Sequence, residues 1–199
     1  MENIFSNIRH HSGDVYVADY TQYAKSHPES PMKGVTISDV RPPLIGSLAF
    51  ENPNAVRLMS VNFEENQYFF RPIGEHRTVS NCECMLVSED GAKKRWIVLA
   101  ELKYCKGEDR NIASNFSKAL SQLEETFLYL VDEKKIFATS DYRFYWVVSI
   151  PEHSEKAPFS AFFLSQDDEL QYKEKYNSII ISDNVARIWT GSVILKPRY

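Results

Sequence analysis

Glycine is scarce in this 199-residue chain, which has seven glycines, no two of them within ten positions of each other. The dinucleotide-binding fingerprint, the phosphate-cradling P-loop and the Gly-x-Ser-x-Gly nucleophile elbow all need closely spaced glycines. The glycine spacing therefore excludes the commonest nucleotide-binding motifs and this hydrolase motif.

Cysteine and histidine are also sparse. The chain has three cysteines (Cys82, Cys84 and Cys105) with no Cys-x-x-Cys, and five histidines outside any zinc-binding spacing. These counts favour buried, reduced thiols over a disulfide framework and indicate a cytoplasmic setting. The pair His10-His11 is interpreted as part of a flexible terminus.

Long apolar runs are missing. The best runs, 96–100 and 144–148, are far shorter than the roughly 18 residues of a membrane span. The first eleven residues have no continuous apolar segment, which argues against a secretory signal. We therefore expect a cytoplasmic protein with no membrane partner.

The net charge of −4 argues against broad nonspecific nucleic-acid binding but permits a local basic face. Six basic residues near the centre of the chain either guide a phosphate backbone or form an ordinary solvated surface, and the sequence leaves both interpretations open. They are Lys93, Lys94, Arg95, Lys106, Arg110 and Lys118.

Apolar and aromatic residues are plentiful, at 43% hydrophobic and 13% aromatic, which is enough for a sizeable core and favours strands. We predict a single domain over 1–199, with a less defined part at 1–65, a core at 66–150 and C-terminal strands at 151–199.

The core pattern is strand, strand, strand, helix, strand. Residues 67–73, 81–88, 94–104 and 142–150 are typical of strands, and the apolar residues of 111–131 recur at steps of three and four, which predicts a helix. A hairpin followed by a crossover helix predicts an α/β fold with a mixed central sheet and the helix packed on it.

Weaker patterns flank this core. The sequence predicts a strand at 15–17 with a helical turn after it, irregular structure over 26–54 and a short helix at 54–60. Asp167-Asp168-Glu169 is interpreted as an exposed turn. Further strands are expected at 159–164, 178–181, 185–189 and 193–195.

Charged residues stand out where the chain is most apolar. Glu101 and Lys103 end the third strand on the same face as Ile97 and Leu99, and Glu83 lies in the preceding strand. Charged side chains are rarely buried without a partner or a metal. Two carboxylates and a lysine predict a site for Mg²⁺ or Mn²⁺ with Glu83 and Glu101 as ligands.

The hairpin register decides whether the two acids can meet. A two-residue turn would set Glu83 opposite Val98 and turn Glu101 to the other face. A three-residue loop would set Glu83 opposite Leu99, with Glu101 as its diagonal neighbour. The site therefore requires an odd-length loop or a bulge.

Glu83, then Glu101-Leu102-Lys103, then a helix carrying Gln122 and a further strand resemble the PD-(D/E)XK nuclease superfamily, which has the restriction-endonuclease-like fold. The resemblance covers roughly 66–150. It implies a metal-dependent nuclease in which Glu83 and Glu101 bind Mg²⁺, Lys103 orients the attacking water and Gln122 belongs to the catalytic set. It also implies nucleic acid as the partner, DNA in preference to RNA, and a homodimer.

Departures from the family pattern leave alternatives open. Cys82-Glu83 stands where the family usually has Pro-Asp, which favours a catalytically inactive binding or assembly module as the second hypothesis. An additional glutamate from the first helix is common in the family, and the sequence does not choose among Glu51, Glu64 and Glu65. A strand-end salt bridge between Glu101 and Lys103 is the structural alternative to a catalytic role. A nucleophile triad assembled from distant residues is a third hypothesis.

Overall fold

The computed structural model describes residues 3–71, 78–89, 95–104, 112–152, 164–189 and 192–195. In this part of the chain the helices are α1 (Thr21–Ser26), α2 (Ile112–Leu128) and α3 (Gln166–Tyr176). The strands are β1 (Arg9–His11), β2 (Val15–Asp19), β3 (Val35–Ser38), β4 (Leu48–Glu51), β5 (Leu58–Asn62), β6 (Cys84–Ser88), β7 (Arg95–Leu102), β8 (Tyr142–Ser149), β9 (Ser178–Ser182), β10 (Val185–Trp189) and β11 (Ser192–Leu195).

The strands form two mixed sheets. The first has six strands in the order β1-β5-β6-β7-β8-β9, and the second has five in the order β11-β10-β4-β2-β3. In the first sheet β6 and β7 are antiparallel, and β8, which follows α2 in the chain, lies parallel to β7. The predicted mixed α/β class is confirmed, while the second sheet was not predicted.

The first sheet is covered on both faces. Helix α2 packs on one face, where Phe116, Leu123 and Phe127 join the cluster that contains Leu99. The second sheet covers the other face, with residues such as Phe50 in the cluster that contains the opposite side of β7. Because β7 is buried on both faces, its sequence is continuously apolar and does not alternate.

Helix α2 follows the predicted spacing closely. Its buried residues lie on one face, as an amphipathic helix packed on a sheet requires. A π-helical turn, Tyr129–Glu133, continues it, so regular α-helix ends at Leu128 rather than near 131.

Two of the predicted elements are wrong. Residues Gln67–Phe70 form a 3-10 turn instead of a strand, because Phe69 and Phe70 pack into an aromatic group with Tyr129. The rest of that predicted strand includes 72–73, which lie outside the described residues. The predicted helix at 54–60 is replaced by β5, which pairs with β1 and β6 inside the first sheet.

The flanking segments contain more regular structure than expected. Strands β3 and β4 lie inside 26–54, which was predicted to be irregular. The acidic run at 167–169 is the first turn of α3, where Ser165 and Asp168 form a capping box, and is not a loop turn. His10-His11 lies in β1 and is not a loose terminus.

Most of the remaining predicted flanking elements correspond to observed ones. The early strand and helical turn correspond to β2 and α1, and the last three predicted strands correspond to β9, β10 and β11. The predicted strand at 159–164 falls almost wholly outside the described residues. None of the helices in the described ranges has the length and hydropathy needed to cross a bilayer.

Candidate active site

The ends of β6 and β7 bring the two predicted acids together. Cys84 lies opposite Ala100 and Met85 opposite Leu99, and the Glu83 backbone N–H donates to the Ala100 carbonyl at 3.0 Å. Glu83 therefore lies level with Ala100 and Glu101. The two predicted registers set Glu83 opposite Val98 or Leu99, and neither is right, because the observed pairing is shifted by two residues from the second of them. Residues 90–94, which connect the two strands, lie outside the described ranges.

Glu101 is the more deeply buried of the two acids, with 1% of its surface exposed. One carboxylate oxygen, Oε1, accepts a hydrogen bond from Lys103 Nζ at 2.5 Å, while the other, Oε2, is buried without a hydrogen-bond partner. Burial raises the pKa of Glu101 to about 7, although the charge and hydrogen bond of Lys103 and, to a smaller extent, the Glu83 backbone N–H lower it. This oxygen is therefore an acceptor that a bound ligand would satisfy.

Glu83 is partly exposed and is more strongly perturbed. Burial, and after it the charge of Glu101, raise the pKa of Glu83 to about 9. Asp19 and Glu64 also raise this pKa, and Lys103 lowers it. Two carboxyls so close together titrate as a pair, and at neutral pH one of them keeps a proton unless a cation replaces it.

Lys103 is held from two sides. Its Nζ donates to Glu101 Oε1 and, at 2.5 Å, to Oε1 of Gln122 on α2. The Gln122 amide in turn donates to the Asn81 carbonyl at 3.2 Å, which ties α2 to the segment before β6. The structure thus brings Glu83, Glu101, Lys103 and Gln122 to one place.

Asp19 and Tyr104 also belong to this site, although the sequence did not single them out. Asp19 ends β2 in the second sheet, and its charge raises the pKa of both Glu83 and Glu101. Its backbone N–H donates to the Tyr104 hydroxyl at 3.1 Å, and that hydroxyl donates to the Gly46 carbonyl at 2.9 Å. The available signal was an acid at the end of an apolar strand, the same signal that identified Glu101.

Of the three candidate N-terminal glutamates, Glu64 is the one whose charge acts on Glu83. Its carboxylate accepts the Val35 backbone N–H at 2.5 Å. Glu65 pairs with Arg9 at 3.4 Å. Glu51, on β4, pairs with Arg187 at 3.0 Å.

Gly34 makes the placement of Glu64 possible. It has a φ of +61°, and a Cβ at this position would lie 2.1 Å from Glu64 Oε2. We expect Gly34→Ala to lower the free energy of unfolding by about 1–3 kcal/mol, since it adds left-handed backbone strain to a steric clash. Urea denaturation measures the change. Gly13→Ala is the control, because a Cβ there meets nothing within 4 Å; equal losses in the two variants would contradict this account.

A small cleft of about 190 Å³ opens beside Asp19 and Tyr104. Its wall includes Tyr23 and His27, whose rings stack with centroids 4.2 Å apart. Neither Glu83 nor Glu101 is among the described residues that line this cleft.

Of the six basic residues singled out in the sequence, the described ranges contain Arg95 and Lys118. Arg95 begins β7, at the end opposite Glu101, and stacks over the Tyr142 ring. Lys118 is exposed on α2. Lys93, Lys94, Lys106 and Arg110 lie outside the described residues.

The donor set for a metal is incomplete in the described ranges. Within them, no group of three or more histidine, cysteine, aspartate or glutamate side chains is arranged to hold a metal ion. Cys82 and Cys84 are free and buried, and burial raises the pKa of both thiols, which suits small apolar core residues rather than soft-metal ligands.

Family models, curated proteins and solved structures give no match to this chain. No relative therefore supplies a fold family or a function. The resemblance to the PD-(D/E)XK superfamily stays a prediction, and a functional assignment must rest on the geometry of the site.

A hydrogen-bonded serine–histidine–aspartate chain also occurs, between the two sheets. His11 Nε2 lies 2.8 Å from Ser60 Oγ, and His11 Nδ1 lies 2.5 Å from Asp39 Oδ1. Ser60 is 1% exposed, whereas the Asp39 side chain is 61% exposed. A working triad needs an accessible serine and a shielded aspartate, so the exposure is the reverse of what nucleophilic catalysis requires. This line joins β1 and β5 to the end of β3.

Proposed function

We propose that this protein is a metal-dependent nuclease that hydrolyses phosphodiester bonds of nucleic acid, DNA in preference to RNA. The observation that carries the proposal is the buried Oε2 of Glu101, which has no hydrogen-bond partner and lies beside a second acid, Glu83. A protein that only needed a salt bridge with Lys103 would not also need a second acid at this point.

Two of the residues are suitable ligands for a hard divalent cation, although the described side chains do not supply a full donor set. Carboxylate oxygens are the preferred ligands of Mg²⁺ and Mn²⁺, and Glu83 and Glu101 would supply them. When bound, such an ion polarises a phosphate oxygen and makes water a stronger nucleophile at neutral pH. Backbone carbonyls, water and substrate oxygens commonly complete a coordination shell that the protein leaves open.

Lys103 supplies a fixed positive charge at the same place. An ammonium group has three donors, of which Glu101 and Gln122 use two, so one remains for a phosphate oxygen or a water molecule. Because its side chain is only 20% exposed, this charge acts in a medium that screens it weakly. Gln122 is a positioning residue, since it acts through Lys103.

Cleavage of nucleic acid by this site should require both the cation and Glu101. We expect cleavage of a mixed panel of DNA and RNA oligonucleotides in Mg²⁺ or Mn²⁺, no cleavage in EDTA, and a loss of about 10²-fold or more in Glu101→Gln. Glu174→Gln is the matched control, because it makes the same substitution at an exposed position on α3. No cleavage by the wild type, together with no metal binding by calorimetry, would contradict the proposal.

A catalytically inactive binding or assembly module is the second candidate function. It is favoured by the contact between Lys103 and Glu101 and by the retained proton on Glu83, which together neutralise the site without a cation. The same calorimetry separates the two functions, because a module of this kind binds no divalent cation at these residues.

A further inference from the structure

Strand β9 forms one edge of the six-stranded sheet. In the described ranges it pairs only with β8, so its outer backbone N–H and C=O groups face away from the sheet. Natural edge strands are usually protected by charge, proline or very short length. Its sequence is Ser-Ile-Ile-Ile-Ser, which has none of these protections, and Ile179 is 36% exposed.

The opposite edge of the same sheet is protected. Strand β1 is three residues long and carries Arg9 and His10, both exposed. An edge-to-edge contact between two copies is therefore favoured at β9 and disfavoured at β1.

The β9 sequence is symmetric about Ile180. If two copies pair antiparallel, Ile180 meets its own counterpart, Ile179 meets Ile181, and Ser178 meets Ser182. A two-fold contact requires a surface that complements itself, and this strand meets that requirement residue by residue. Isoleucine pairs on neighbouring antiparallel strands also contribute favourable packing.

Helix α3 lies along the same edge and is self-complementary in charge. A groove of about 370 Å³ between α3 and β9 is lined by both apolar and polar residues, and its apolar part includes Leu170, which is 51% exposed. The first turn of α3 is acidic and the last turn carries Lys173 and Lys175. A two-fold axis through Ile180 sets the two copies of α3 antiparallel, with acidic and basic turns facing each other.

We propose that this protein forms a homodimer in which β9 of one copy pairs antiparallel with β9 of a second copy, joining two six-stranded sheets into one. The partner is a second copy because both the strand sequence and the helix charges complement themselves. This inference does not depend on the proposed nuclease activity.

Sedimentation velocity of the full chain tests the dimer. We expect the wild type to sediment as a dimer and Ile180→Lys to sediment as a monomer, since two ammonium groups would meet at the axis. Val40→Lys is the control: Val40 is 74% exposed and lies outside both β9 and α3, so this variant should remain a dimer. A monomeric wild type at near-millimolar concentration would overturn the proposal, as would a dimer unaffected by Ile180→Lys.

A charge exchange on α3 tests the same contact without touching the sheet. Glu169 and Lys173 are both exposed, so their substitution should leave folding intact. We expect Glu169→Lys and Lys173→Glu each to raise the dimer dissociation constant roughly tenfold, and the double variant to return close to the wild-type value. Singles that leave the dissociation constant unchanged, or a double variant that adds the two losses, would overturn this arrangement.

Discussion

Replacing Glu83 by glutamine should stabilise the metal-free protein at pH 8 by on the order of 5 kcal/mol, because pH 8 lies about 3.5 units above the pKa of this carboxyl in the unfolded chain and one pKa unit corresponds to about 1.36 kcal/mol. The folded protein keeps a proton on Glu83 up to a pKa of about 9, whereas the unfolded chain releases it near 4.5. Between these values the folded state binds more protons than the unfolded state, so stability is full at low pH and falls as pH rises. Glutamine retains the shape of the protonated acid and cannot ionise.

Urea denaturation in EDTA across the range from about pH 5 to about pH 9 measures this effect. We expect the wild type to lose stability steadily over the range and Glu83→Gln to lose much less. Glu174→Gln removes the same charge from an exposed position on α3 and should leave the pH dependence unchanged. Parallel curves for wild type and Glu83→Gln would show that burial does not perturb this carboxyl.

Adding Mn²⁺ extends the experiment to the proposed ligands. A cation that binds the folded protein stabilises it in proportion to the logarithm of its concentration above the dissociation constant. We therefore expect Mn²⁺ to restore wild-type stability at high pH and to have little effect on Glu83→Gln. Equal stabilisation of both proteins would place the cation elsewhere.

The sequence predicted the central hairpin, α2 and β8 because each has a strong local signal. Strand β7 is continuously apolar, α2 has a clear helical periodicity, and β8 ends at a proline. Strand β5 was misread as a helix because Pro53 and Asn54 resemble a helix start and because a strand buried within a sheet shows no alternation.

The second sheet depends on pairings between distant parts of the chain. Strand β10 lies parallel to β4, so Arg187 meets Glu51 across 136 positions. No local pattern encodes such a contact, since it depends on which apolar faces are left to cover. Strand β4 was hidden in a proline-rich segment for the same reason.

The same contrast between local sequence signals and long-range packing applies to the residues of the site. Glu101 and Lys103 could be predicted because charged residues are rarely buried in an apolar segment without a partner, and Glu83 could be predicted because it is adjacent in sequence to the neighbouring strand, β6. Asp19 reaches the site through β2, which belongs to the unpredicted second sheet. Its role depends on how the two sheets pack together, and no local sequence pattern indicates that packing.

Lys103→Met should cost about 3 kcal/mol of stability at pH 8, because it leaves Glu101 buried without its cation. The methionine keeps most of the lysine volume, so the loss reports charge rather than a cavity. Without the ammonium group, the pKa of Glu101 rises above its present value of about 7, and the carboxyl then takes up a proton on folding. The loss should therefore be small at pH 5 and grow as pH rises.

A double-mutant cycle separates this electrostatic loss from the loss of packing. Glu101→Gln combined with Lys103→Met removes both charges and should recover most of the stability that Lys103→Met loses alone, giving a coupling energy of about 2 kcal/mol by urea denaturation at pH 8. Lys118→Met, an exposed lysine on α2, should change stability by less than about 0.5 kcal/mol. Additive losses in the cycle would mean that solvent, rather than Lys103, neutralises Glu101, and the site would then lack the fixed positive charge that phosphodiester hydrolysis needs.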